Sequence, residues 1–182
     1  MDLKILQWNI RSTKPKPSIE LANSIISPNI ICLQETWFTP TSSKKLTGYT
    51  IAAEKSRVGK TGGGVAIYTT KNIKSTPITL NTTLEACAIK IHTPTQNFAI
   101  MSIYLPSDTK NEEITKELDK TLASINMPYL ICMDANAKHP VWGAQITDNR
   151  GSKITDILIE QDAHLLNVGH PTYLSPKGKY RI

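Results

Sequence analysis

The 182 residues carry 21 Lys and Arg against 15 Asp and Glu, a formal net charge of +6, with 40% hydrophobic and 6% aromatic residues. That balance excludes disordered and fibrous classes and favours one domain with a sizeable core, while the positive excess favours a polyanionic partner only weakly. No stretch approaches the roughly 18 consecutive apolar residues of a membrane span, and Met1–Asn9 is not an apolar signal segment, so the expectation is a soluble intracellular protein with no membrane contact.

Leu3–Ile10 reads as a strand ending in Asn9, followed by a polar, Pro-containing loop over Arg11–Pro17. Ser18–Ile26 has Ile19, Ala22, Ile25 and Ile26 at helical spacing with Ser18 as candidate N-cap, and Pro28-Asn29 stops it. Ile30–Leu33 is a second apolar strand, ending in Gln34-Glu35. If these two strands are parallel neighbours, Asn9 and Glu35 meet at one sheet rim.

Gly48–Ala53 is a short strand ending in Glu54, and Lys55–Gly64 is a basic connection closing in Gly62-Gly63-Gly64. The triplet lacks the GxxxxGK spacing of a phosphate loop and precedes a strand rather than a helix, so it is expected to be a flexible entry to Val65–Thr70. Glu85–His92 and Phe98–Leu105 follow, and the three strands read as an antiparallel meander that delivers Tyr104 just before Pro106. Thr109–Glu112 has the form of a capping box, and Ile114, Leu118, Leu122 and Ile125 mark an amphipathic helix.

Leu130–Met133 is an apolar strand that ends abruptly in Asp134-Ala135-Asn136, placing an acid and an amide at a sheet rim, where open α/β sheets put their ligand sites. His139–Gly143 is expected as loop, Asn149-Arg150-Gly151 as a turn, Ser152–Gln161 as a second amphipathic helix and His164–Val168 as a strand. Pro171–Leu174 and Tyr180–Ile182 flank a Pro/Gly/Lys turn and read as a hairpin. The chain stops inside its second strand, which suggests a truncated domain over residues 1–182. Cys32, Cys87 and Cys132 sit in apolar runs without CxxC spacing and are expected to be buried, reduced thiols.

Asn9, Glu35, Tyr104, Asp134 and Asn136 all lie at or just after the ends of apolar runs. Each alone is as well explained as a turn former or a core tyrosine; five together point to one polar site. Two carboxylates with amides suit a hard divalent cation such as Mg²⁺, and carboxylate, amide and phenol around such an ion suit phosphoester hydrolysis. Lys44-Lys45, Lys55–Lys60 and Lys177–Arg181 are candidate phosphate contacts, each equally well an ordinary solvated surface.

QWNIRS (Gln7–Ser12), LQETW (Leu33–Trp37), SIYLPS (Ser102–Ser107) and MDANAKH (Met133–His139) together resemble the endonuclease/exonuclease/phosphatase family of DNase I and exonuclease III-type enzymes. NAKHPVWG, NRG and PTY look like its non-LTR (LINE-type) retrotransposon branch, of the jockey-like and R1-like sort. The resemblance implies a DNase I-like, four-layered α/β sandwich of two facing mixed sheets flanked by helices, here without its C-terminal strands. It also implies Mg²⁺-dependent (alternatively Mn²⁺-dependent) nicking of double-stranded DNA to prime reverse transcription. By the same resemblance Glu35 is the metal ligand with Asn9 beside it, Asp134 orients or activates the attacking water, Asn136 is the transition-state amide and Tyr104 contacts the phosphate. His139, Asn149 and Thr172 match branch motifs expected to shape the DNA groove.

The chain departs from the family at Arg11 and Ser107, where AP endonucleases have an acid and an Asn, which puts abasic-site specificity in doubt. The family's closing Asp and Ser-Asp-His are not in the sequence, and His164 and His170 do not take their place. The expectation is therefore a monomeric, nuclear fragment of a polyprotein that also carries a reverse transcriptase, weakly active or inactive by itself. The alternatives are an AP endonuclease-like phosphoesterase of the same fold and a degenerate, non-catalytic DNA-binding module.

Overall fold

The computed structural model describes residues 3–13, 20, 25–42, 44–167, 169, 173–174 and 180–181. The predicted helix Ser18–Ile26 falls largely outside these residues, as do Thr172 and the hairpin turn Ser175–Lys179. The chain divides into two units, one of residues 1–106 with 123–135, the other of residues 107–122 with 136–182.

The first unit is built on two four-stranded mixed sheets. In one, β1 (Ile5–Asn9) runs parallel to β2 (Ile30–Gln34), which pairs antiparallel with β4 (Val65–Thr70), itself flanked by β3 (Tyr49–Lys55). In the other, β5 (Ser75–Ile78), β6 (Glu85–Ile91) and β7 (Phe98–Tyr104) form an antiparallel meander, and β8 (Tyr129–Asp134) adds parallel to β7. The meander differs from the expected one. Val65–Thr70 belongs to the first sheet, and its place beside β6 is taken by Ser75–Ile78, a short, half-exposed strand whose Pro77 and polar residues hid it in the sequence.

The sheets share a core. Ile30, Cys32, Val65 and Ile67 from one face pack with Cys87, Ile89, Ile91, Ile100 and Cys132 from the other. Ile31, Leu33, Ala66 and Tyr68, on the opposite face of the first sheet, pack with Phe38 and Leu46. Strand β2 is thus buried on both faces, which is why it is a continuous apolar run, and each such Ile stabilises the fold by about 1.5–3 kcal/mol. All three cysteines are free and buried; Cys32 and Cys132 share the core between the sheets, and the neighbouring Cys132 thiol, with burial, pushes Cys32 up.

In the second unit, α1 (Asn111–Ala123) buries Ile114, Leu118, Thr121 and Leu122. Helix α2 (Asn149–Glu160) starts earlier than its apolar spacing predicts, because Asp148 caps it by accepting from the Gly151 N–H at 2.7 Å. Asn149-Arg150-Gly151 is therefore the first helical turn and not a loop turn. Residues 164–167 form no ladder, contrary to the strand expected there; Leu165 and Leu166 are exposed. Tyr173–Leu174 and Tyr180–Arg181 pair antiparallel as the expected hairpin. With the two mixed sheets and these helices the architecture is an α/β sandwich; no helix among the described residues is long and apolar enough to cross a membrane.

Candidate active site

The sheet topology makes the site. Each sheet contains one parallel pair, and parallel strands end on the same side. Asn9 closes β1, Glu35 follows β2 directly, and Tyr104 and Asp134 close β7 and β8 in register with each other. Because the sheets face one another, four strand ends from two sheets come to one rim.

At that rim a single amide joins both carboxylates: Asn9 Nδ2 donates to Glu35 Oε1 at 2.8 Å and also to Asp134 Oδ2. The Asn9 carbonyl oxygen accepts from the Arg11 N–H at 3.2 Å, which fixes the amide's orientation. The second Glu35 oxygen accepts from the indole N–H of Trp37 at 3.2 Å. The Tyr104 phenol lies near the same carboxylates. Burial, with Glu35 and Asp134 close by, pushes its pKa up to about 12 against the opposing pull of Arg57. The phenol is therefore a protonated donor at neutral pH.

Below the rim lies a buried polar knot. Gln34 Nε2 donates to Ser102 Oγ at 2.9 Å and to the Cys132 carbonyl at 3.2 Å, while the Ser102 hydroxyl donates to the Leu33 carbonyl at 3.0 Å. At the exposed edge beside this knot, Gln7 Nε2 donates to the Met133 carbonyl at 2.9 Å. Four strands of the two sheets are stitched directly beneath the carboxylates, and every bond serves to fix strand ends rather than to reach outward.

Glu35 itself has φ +52°, a left-handed backbone that costs a non-glycine residue about 1–3 kcal/mol. The surroundings over-determine it. Its carbonyl accepts from the Ser12 N–H at 2.8 Å, and the next two amides, of Thr36 and Trp37, donate to the Gly64 and Gly63 carbonyls at 3.2 and 2.9 Å. The glycine triplet is thus a fixed backing for the Glu35 loop and not a flexible entry. All three glycines have positive φ, and a Cβ on Gly63 would collide with Arg57 and Glu85.

The remaining predicted residues lie in the second unit. Asn136 is exposed, with φ +45°. His139 caps a short 3₁₀ turn (Pro140–Trp142): its Nδ1 accepts from the Val141 N–H at 3.2 Å, and its ring lies 5.3 Å from that of Trp142. Asn149 accepts from the Asn111 amide at 3.2 Å. Of the basic candidates, Lys55 is spent on the Thr82 and Leu84 carbonyls at 2.8 and 2.7 Å, Lys44 pairs with Glu54, and Arg57 pairs with Glu85.

Sequence reasoning missed Trp37, Ser102 and Glu85, and it took Arg57, within Lys55–Lys60, as a candidate phosphate contact where the structure pairs it with Glu85. The available signals were a charged residue opening an otherwise apolar strand at Glu85 and a glycine triplet placed after Arg57.

Among the described residues no three His, Cys, Asp or Glu side chains gather into a metal cage. A divalent ion here would be held by one or two carboxylates and water, the manner in which Mg²⁺ is usually bound. The oxygen-only donors of the rim fit such an ion.

The structure resembles the endonuclease domain of TRAS1, a telomere-specific non-LTR retrotransposon, with a TM-score of 0.78 at 20% identity, covering 94% of this chain and 77% of that one. It also resembles an AP endonuclease from Archaeoglobus fulgidus, with a TM-score of 0.59 at 18% identity over 87% of this chain and 71% of that one. In sequence, residues 98–182 match the family model described as endonuclease-reverse transcriptase. The chain is 26% identical over 175 residues to the probable RNA-directed DNA polymerase from transposon BS of Drosophila melanogaster, covering 93% of this chain. It is 25% identical over 176 residues to that from transposon X-element of the same species. The chain spans 19% of the length of each of these two relatives. The resemblance first seen in the motifs is therefore present in sequence and fold alike, and it points to the non-LTR retrotransposon branch.

Proposed function

We propose that the chain is a divalent-ion-dependent phosphodiesterase: the DNA-nicking endonuclease part of a longer retrotransposon polyprotein, acting on nuclear double-stranded DNA to give the end from which a reverse transcriptase primes. The observation that carries this reading is the Asn9 amide holding Glu35 and Asp134 together at strand ends from two sheets. Two carboxylates so close repel each other, and a cation relieves that repulsion.

Glu35, with Asn9 beside it, would hold Mg²⁺ (Mn²⁺ as the alternative). The ion, when bound, polarises a phosphoryl oxygen. Asp134 orients the attacking water and accepts its proton. Tyr104, kept protonated, donates to the phosphate, and Asn136 donates to the charge that builds on phosphorus. His139, Asn149 and Thr172 act on the DNA-facing loops, the first two through the local ties they make.

The test is relaxation of supercoiled plasmid by the chain expressed within its parent reading frame, with Mg²⁺ and with chelator. Nicking should require the ion and fall by about 10²–10⁴-fold in Asp134→Ala and in Glu35→Ala. Undiminished nicking by the double variant sinks the assignment. Faster cleavage of an abasic duplex than of a plain one favours the AP endonuclease reading. Salt-sensitive binding with no nicking favours a DNA-binding module without catalysis.

A further inference from the structure

Glu35 follows β2 and Tyr104 closes β7, strands of different sheets. Behind them lies one ion pair that the proposed chemistry does not use. Arg57 Nε donates to Glu85 Oε1 at 2.6 Å, and its Nη2 lies 2.6 Å from the same oxygen. The other Glu85 oxygen, Oε2, accepts from the backbone N–H of Gly64. The side chains are only 18% and 13% exposed, so this is a largely desolvated pair that cancels its own charge and adds none to the rim.

From this pair two paths lead to the site. The Gly64 and Gly63 carbonyls accept the amides of Thr36 and Trp37, the two residues after Glu35, and Gly62 lies against the Trp37 indole. On the other side, Glu85 is the register partner of Tyr104, and the Arg57 guanidinium carbon lies 5.8 Å from the centroid of the Tyr104 ring, within cation–π reach.

We propose that Arg57 and Glu85 are positioning residues: a buried clamp that grips the glycine triplet behind Glu35 with one carboxylate oxygen and, through the guanidinium, the ring of Tyr104 with the other. The proposal rests on the phosphodiesterase reading for the purpose of the clamp, though not for its existence. Truncating either partner strands a charge in a half-closed site, so the variants are graded: Glu85→Gln keeps an acceptor for Gly64, and Arg57→Lys keeps the charge but loses the Nε donor and the planar guanidinium.

The experiment compares Glu85→Ala, Glu85→Gln, Arg57→Ala, Arg57→Lys and, as a charge deletion elsewhere on β6, Lys90→Ala, in the chain within its parent reading frame. Native-state amide exchange at Thr36 and Trp37 is expected to speed up by about tenfold in both alanine variants and less in Glu85→Gln, with the amides of β7 unchanged. Mg²⁺ affinity by calorimetry should fall by about tenfold, as for other outer partners of metal ligands. The nicking kcat should drop about 10- to 100-fold at constant KM, the signature of misplacement and not of lost DNA binding. Unchanged exchange at Thr36 and Trp37, or exchange accelerated uniformly along the chain, overturns the clamp. Local acceleration with ion affinity and kcat both intact overturns its positioning role. A parent protein that neither nicks nor binds Mg²⁺ refutes the phosphodiesterase reading and the positioning role with it, while the exchange measurement still decides whether the clamp exists.

Discussion

Two polar clusters, one in each unit, are similar in composition and opposite in kind. At the rim of the first unit, Glu35 and Asp134 share one Asn9 amide and draw on a phenol and an indole; the donors are neutral and the acceptors charged. In the second unit, a seam between α1 and α2 centres on buried Arg150. Its Nε donates to Asn111 Oδ1 at 2.9 Å, and its Nη2 donates to the Thr109 carbonyl at 2.8 Å and reaches that of Ser107 at 3.5 Å. There the donor is the charged group, and backbone carbonyls absorb it. The balance of charge, not the number of polar residues, separates an anionic rim from a tie that holds a fold.

The difference predicts opposite responses. Asp134→Ala should abolish most nicking, by about 10²–10⁴-fold, while its stability in a urea melt stays within about 0.5 kcal/mol of the parent or rises as a repulsion is removed. Arg150→Met should do the reverse. Losing two well-formed charge-assisted bonds inside a buried seam costs about 2–4 kcal/mol in a urea melt, with Mg²⁺ affinity of the folded protein unchanged. If Asp134→Ala melts as early as Arg150→Met, the rim is structural and the comparison collapses.

Gln34 sharpens it. This residue is fully buried beneath the rim yet ties strands as Arg150 ties helices. Gln34→Ala removes the partner of Ser102 and of a buried carbonyl, so it should cost about 1–3 kcal/mol of stability. Nicking should fall less than in Asp134→Ala, because the carboxylates keep their shared amide. A stability loss with no change in kcat would show that the knot supports the sheets and not the rim.

The sequence made the rim legible for a physical reason. A buried strand must be apolar along its length, so Asp134 after Leu130–Met133 and Glu35 after Ile30–Leu33 stand out, and a parallel pair carries its end residues to the same side. What stayed hidden depends on long-range pairing. Nothing local says that Val65–Thr70 crosses to the first sheet, or that Glu85 at the start of β6 faces Arg57 from a distant loop. The glycine triplet was visible, but its use as a backing for Glu35 depends on hydrogen bonds between residues 26 and 28 positions apart, Trp37 N to the Gly63 carbonyl and Thr36 N to that of Gly64. The NRG motif was also visible, but nothing local says that its arginine is buried among the Asn111 and Thr109 oxygens.

The smallest effect lies at the edge of the same seam. Lys153 of α2 reaches Glu112 of α1 at 3.0 Å, and the lysine holds the Glu112 carboxyl below its ordinary value of 4.5. A carboxyl depressed in the folded state contributes stability that is present above the unfolded value and is lost as pH falls through the folded one. Lys153→Ala should therefore raise the Glu112 pKa in an NMR titration and lower the urea midpoint slightly at pH 7. The two proteins should converge once the pH is below the parent's Glu112 value. The pair is on the surface, so added salt should shrink the difference as well. A gap that persists in acid would mean that Lys153 supports the seam by packing, and that the charge logic separating the two clusters does not extend to its rim.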